Sequence, residues 1–88
     1  MPPTINDKLY ISTATTTQIY TGPVRLVYVN INKALTGTVT IQDGDGTTNT
    51  TFAVYAVGTP AQSFLWNATF SRGLRVITSA ADDVTIIY

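Results

Sequence analysis

Turn-forming residues interrupt this chain about every 8–12 residues, and the segments between them are built almost wholly from β-branched and aromatic side chains. That rhythm constrains the fold more than any other feature. Val, Ile, Thr, Tyr, Phe and Trp suit a pleated, half-buried backbone. Thr alone fills 17 of the 88 positions, while Glu is absent and Met occurs once. With helix formers this scarce, a helix has little to start from.

Reading between the breaks gives strands over residues 9–13, 17–20, 24–32, 38–42, 50–57, 63–66, 74–78 and 84–88. Thr21-Gly22-Pro23, Gly58-Thr59-Pro60 and Ser71-Arg72-Gly73 turn the chain. Asp43-Gly44-Asp45-Gly46 reads as a hairpin turn, because Asp-Gly supplies the positive φ such turns require. Ala80-Ala81-Asp82-Asp83 is expected to join the last two strands as a second hairpin. The fold class is therefore all-β: an antiparallel sandwich of about eight strands, jelly-roll or Ig-like in order. Residues 8–88 form one domain. Residues 1–7 form an extended arm, since Pro2 and Pro3 lack the N–H a central strand needs.

Alternation assigns Val27, Val29, Ile31, Val39, Ile41, Phe52, Val54, Leu74, Val76, Val84 and Ile86 to the inner faces. The opposite parity is also apolar: Leu26, Tyr28, Tyr55, Val57, Ile77 and Ile87. A half-solvated strand alternates apolar with polar. Strands apolar on both sides mean either that the register is shifted or that the outer face is covered by another subunit, and cover is the favoured reading. The expected interface residues are Leu26, Tyr28, Tyr55, Ile77 and Ile87, together with Pro2, Pro3 and Ile5 of the arm.

Charge points the same way. Charged residues make up 11% of the chain, five basic against five acidic, where a soluble domain carries roughly 25%. A neutral surface favours association, and a domain this short gains stability by assembling. Arg25, Lys33, Arg72 and Arg75 are scattered, so no basic stripe exists for nucleic acid. No apolar run approaches the ~20 residues of a membrane helix. Met1-Pro2-Pro3-Thr4 has no basic or apolar leader region, which implies synthesis in the cytoplasm.

The inventory argues against catalysis. Ser12, Ser63, Ser71 and Ser79 are candidate nucleophiles, but the chain contains no His to act as base. Lys8 and Lys33 are not tied to any Ser by sequence. Without Cys or His, no thiolate or imidazole metal site forms. Asp43-Gly44-Asp45-Gly46-Thr47 fails the calcium-loop pattern, whose sixth and twelfth positions here hold Thr48 and Val54. Asp82 and Asp83 point to opposite faces if extended, and read as a solvated turn. The expectation is no catalytic residue, no cofactor and no metal. Thr13, Thr15 and Thr17, like Thr38 and Thr40, suit a solvated sheet face. Trp66 is expected in the core. As a second reading it stacks on a sugar, with Tyr10, Tyr20, Tyr28 and Tyr55 as further aromatic faces.

The stretch over residues 30–88 resembles small β-sandwich virion proteins of tailed bacteriophages. The likeness is carried by Gln42-Asp43-Gly44 and a Thr-rich return strand, then Phe64-Leu65-Trp66-Asn67 and Phe70-Ser71-Arg72-Gly73-Leu74-Arg75-Val76. It closes with Thr78-Ser79-Ala80-Ala81-Asp82-Asp83-Val84-Thr85-Ile86-Ile87-Tyr88. The resemblance implies a structural protein of the virion, made in the host cytoplasm, that decorates or cements the capsid. Its partners would be the major capsid protein or other virion proteins, with a homo-oligomer, a trimer first, at a symmetry axis. A neck or tail component, or a carbohydrate-binding adhesin on a fibre, is the other expectation.

Overall fold

Strands form where the β-branched segments fall: β1 (Lys8–Ile11), β2 (Thr15–Thr21), β3 (Val24–Ile31), β4 (Val39–Gly44), β5 (Asn49–Tyr55), β6 (Gln62–Phe70), β7 (Gly73–Thr78) and β8 (Val84–Ile87). The computed structural model describes residues 7–88. Pro2, Pro3 and Ile5 lie outside the described residues. Asp7 exchanges two backbone hydrogen bonds with Tyr88, at 2.6 and 2.9 Å.

Two four-stranded sheets form, in the orders β1-β8-β3-β6 and β2-β7-β4-β5, and every pairing is antiparallel. β1 pairs β8, β2 pairs β7, β3 pairs β6 and β4 pairs β5. The chain thus doubles back about one hairpin, and the doubled ribbon rolls into two layers. That is jelly-roll order, one of the two the sequence allowed.

The expected hairpin between the last two strands does not form. β7 and β8 lie in different sheets, because the 79–83 connection is long enough to step across the ~10 Å between layers. The Asp-Gly hairpin does form, two residues later than expected. β4 runs on through Gly44, and the loop is 45–48. Asp45 Oδ1 accepts the N–H groups of Thr47 and Thr48, at 2.8 and 2.9 Å, and Gly46 takes φ +94°.

Three register breaks decide which side chains face inward. On β2, Gln18 faces Arg75 and Tyr20 faces Leu74, so Ile19 is extra. On β5, Ala53 faces Ile41 and Thr51 faces Gln42, so Phe52 is extra. On β6, Ala68 faces Leu26 and Leu65 faces Tyr28, so Trp66 and Asn67 stand opposite Val27 alone. Asn67 sits at φ +47°, where Asn is among the better-tolerated residues.

These breaks correct the expected faces. Leu26, expected outward, is fully buried, whereas Val27 is only half-buried. The core side of β3 passes from Leu26 to Val29, three residues on, where the β6 register breaks. Tyr55, expected outward, packs inward against the core. Val54, expected inward, is 57% exposed on the outer side. Phe52 is half exposed, with its ring 5.0 Å from that of Phe70.

The core joins Ile11, Leu26, Val29, Ile31, Phe70, Val84 and Ile86 of the first sheet to Val39, Ile41, Leu74 and Val76 of the second, with Leu35 from a loop. Leu35 is pinned there by backbone hydrogen bonds with Gly58 and Thr59, both 2.9 Å.

A buried carboxylate holds the loops at each end. At one end, Asp43 accepts from the backbone of Ser71 (3.1 Å), Arg72 (2.8 Å) and Gly73 (3.3 Å), and from Ser71 Oγ (3.2 Å). Gly73 is required here: a Cβ would strike the carbonyls of Tyr20 and Gly44, and its φ is +155°. At the other end, Asp82 accepts from Thr36 N and Oγ1, both 2.8 Å, and from Gly37 N, 3.0 Å. Asp82 is therefore a buried staple, 7% exposed, and not the solvated turn residue expected from its sequence context.

Candidate functional site

The outer face of the first sheet carries an apolar row. Residue pairing aligns Lys8, Ile87, Tyr28 and Leu65 across β1, β8, β3 and β6. The next row holds Tyr10, Thr85, Asn30 and Ser63. Leu65 is 66% exposed, Tyr10 58% and Tyr28 37%. Ile87 is half-buried between its neighbours. Apolar and aromatic atoms therefore run continuously over three strands, with Lys8 at the rim.

The second sheet presents a different outer surface. Its rows are Thr16, Ile77, Thr40 and Val54, then Gln18, Arg75, Gln42 and Thr51. The second row is partly tied up by its own hydrogen bonds, although Gln42 Oε1 and Arg75 Nε have no partner. Arg75 Nη1 donates to Gln18 Oε1 at 3.2 Å, Gln18 Nε2 donates to the Gly44 carbonyl at 2.7 Å, and Gln42 Nε2 donates to Thr51 Oγ1 at 3.1 Å. Polar groups occupied within the chain offer a partner less than bare apolar ones do.

The expected interface residues thus separate. Tyr28 and Ile87 share one outer face. Ile77 lies on the opposite one, Leu26 is in the core, and Tyr55 faces inward. Leu65, which is not among the expected interface residues, and Tyr10, expected only as an aromatic face for a sugar, complete the apolar face.

Trp66 does not present a free stacking face. It is half-buried against the core, 6.0 Å from the Phe70 ring, and its Nε1 donates to Tyr55 Oη at 2.8 Å. Phe64 lies 4.7 Å from the Tyr55 ring. These aromatics close the gap where edge strand β6 lies over edge strand β5. Burial pushes the Tyr55 phenol up, against the opposing pull of the indole N–H. Tyr55→Phe is expected to cost about 1 kcal/mol in urea denaturation, the net worth of one hydrogen bond.

Two of the candidate serines have structural partners. Ser71 Oγ donates to Asp43, and Ser79 Oγ accepts from Thr38 N at 2.7 Å. Among the described residues no three His, Cys, Asp or Glu side chains converge to hold a metal. No helix among them is long and apolar enough to cross a membrane.

Comparison with protein-family models, with curated proteins and with solved structures found no match.

Proposed function

We propose that this chain is a non-enzymatic structural protein of a tailed-phage particle, most simply a capsid decoration or cement module. It acts by pressing the outer face of its first sheet onto another virion protein or another copy of itself. The observation that carries this reading is the apolar row Ile87, Tyr28 and Leu65, extended by Tyr10. Covering such side chains yields about 1.5–3 kcal/mol for each one fully buried. A neutral chain with few charges opposes such contact weakly. Jelly rolls recur among viral capsid proteins, which is support by analogy of fold alone. The adhesin reading centred on Trp66 has less behind it, because the indole is half-buried and its N–H is occupied.

Light scattering over a dilution series tests this. The wild-type chain is expected to form a discrete oligomer, with a trimer the first expectation. Tyr28→Asp and Leu65→Asp should each weaken it about 100-fold or more, by placing a carboxylate in an apolar contact. Thr16→Asp, on the other sheet, should leave it unchanged. A chain that stays monomeric at every concentration, and fails to cosediment with capsid shells, overturns the proposal.

A further inference from the structure

A second surface lies at the end of the sandwich stapled by Asp82. Three segments distant in sequence meet there: Tyr10 and Ser12 at the end of β1, Lys33, Ala34 and Thr36 after β3, and Ala81 to Asp83 before β8. They line a shallow, half-open cleft of about 220 Å³. That is below the ~300–1,000 Å³ of sites for drug-sized ligands, and in the range of a single small ring.

The cleft is built before any ligand arrives. Asp82 takes three hydrogen bonds from Thr36 and Gly37, which fixes the β3–β4 loop against the β7–β8 loop. Asn32 N donates to the Asp83 carbonyl at 2.9 Å. The Asn32 side-chain amide donates to Asp83 Oδ1 at 2.9 Å and to Thr85 Oγ1 at 3.1 Å. The wall is therefore rigid, and a ligand has few loops to order on binding.

Its chemistry is mixed. Asp83 accepts from Asn32 and is approached by the Tyr10 hydroxyl, and its carboxylate has lone pairs beyond these. Lys33 is a flexible donor, and Ser12 adds a hydroxyl. Tyr10, 58% exposed, adds an aromatic surface beside the Asp83 carboxylate. Asp82 and Asp83 outnumber Lys33 in the lining, and the Asp82 carboxylate is taken up by Thr36 and Gly37, so the cleft disfavours an anion and leaves Asp83, Lys33 and Ser12 to a ligand. Alternating donors and acceptors next to an exposed ring match a ligand with many hydroxyl groups and one apolar face.

We propose that this cleft binds a neutral sugar ring, with Asp83 and Lys33 bonding its hydroxyl groups and Tyr10 packing on its carbon face. The site is separate from Trp66 and shares only Tyr10 with the assembly face, so it does not rest on the assembly reading. For a ligand of this size in an open cleft, binding is weak, with a Kd on the order of 1 mM.

The test is a two-dimensional amide NMR titration of the full chain with glucose, galactose, mannose and N-acetylglucosamine in turn. At least one sugar is expected to give saturable shifts at residues 10–12, 32–36 and 81–85, with Trp66 emission unchanged. Asp83→Asn and Lys33→Ala should each weaken that binding about tenfold, the effect of one lost hydrogen bond to a charged group. Lys33 is exposed, so its variant keeps the fold even if the Asp83 change loosens the loop. Tyr28→Asp should bind the sugar as the wild type does. No saturable shift with any of the four overturns the proposal, as do shifts centred on Trp66 or binding untouched by both cleft variants.

Discussion

Leu26→Asp is expected to leave the chain unfolded, whereas Tyr28→Asp, two residues along the same strand, leaves it folded. Leu26 is fully buried and belongs to the core, while Tyr28 reaches solvent on the outer face. Removing a buried leucine forfeits about 1.5–3 kcal/mol of burial. An unpaired carboxylate in its place adds a penalty of several kcal/mol. The sum exceeds about 5 kcal/mol, the lower end of what a small domain has in total. At position 28 the carboxylate stays hydrated, and the expected cost is under about 1 kcal/mol. Amide NMR dispersion and urea denaturation followed by Trp66 emission distinguish the two. A cooperatively folded Leu26→Asp variant would contradict the inward placement of this residue.

The second large effect is at Asp43. Asp43→Ala strands three backbone N–H groups and the Ser71 hydroxyl at the β6–β7 corner. Hydrogen bonds to a charged group contribute about 1.5–3 kcal/mol each, and partial rehydration recovers some of that. A loss of about 3–4 kcal/mol at neutral pH is expected in urea denaturation with an unchanged slope. Burial of Asp43 opposes its ionisation, but the N–H groups of Arg72, Ser71 and Gly73 prevail and hold the carboxyl below its ordinary range. The N–H of Thr36 leads the same effect at Asp82, aided by Gly37 and the Thr36 hydroxyl.

The direction of the pH dependence follows. A depressed folded pKa means the unfolded chain binds protons first as pH falls, so stability from both staples is complete above the unfolded carboxylate value of about 3.9. It drains away below that value, down through the lower folded pKa of each group. The doubly substituted Asp43→Asn, Asp82→Asn chain should be weaker at pH 7 and lose less on acidification. Equal acid sensitivity in both chains would assign the pH dependence to other groups.

The fold was legible because its signals are local. Val39 and Ile41, Leu74 and Val76, and Val84 and Ile86 alternate without interruption, and all six are buried. Faces were misread where alternation breaks. Phe52 is an extra residue that changes the parity of Tyr55, and nothing in Thr50-Thr51-Phe52-Ala53 announces it. Leu26 and Val29 both face the core because the β6 register breaks beside them, which β3 itself does not encode. Strand order was open because pairings such as Thr15 with Thr78 join residues far apart in the chain. The aspartates were misread because a short polar residue beside Gly or Ala signals a turn. Its burial depends on which distant N–H groups the topology delivers to it.

The three extra residues also bear on how copies of this chain behave when crowded. β2, β5 and β6 are outermost in their sheets, and each carries one of the breaks; the fourth outermost strand, β1, has only four residues. A neighbouring molecule laid alongside any of them meets an interrupted or very short ladder of N–H and C=O groups. Net charge cannot keep the copies apart, because it is zero. Interrupted margins take over that role, leaving flat contact through side chains open while hindering the strand-to-strand fusion that leads to fibrils.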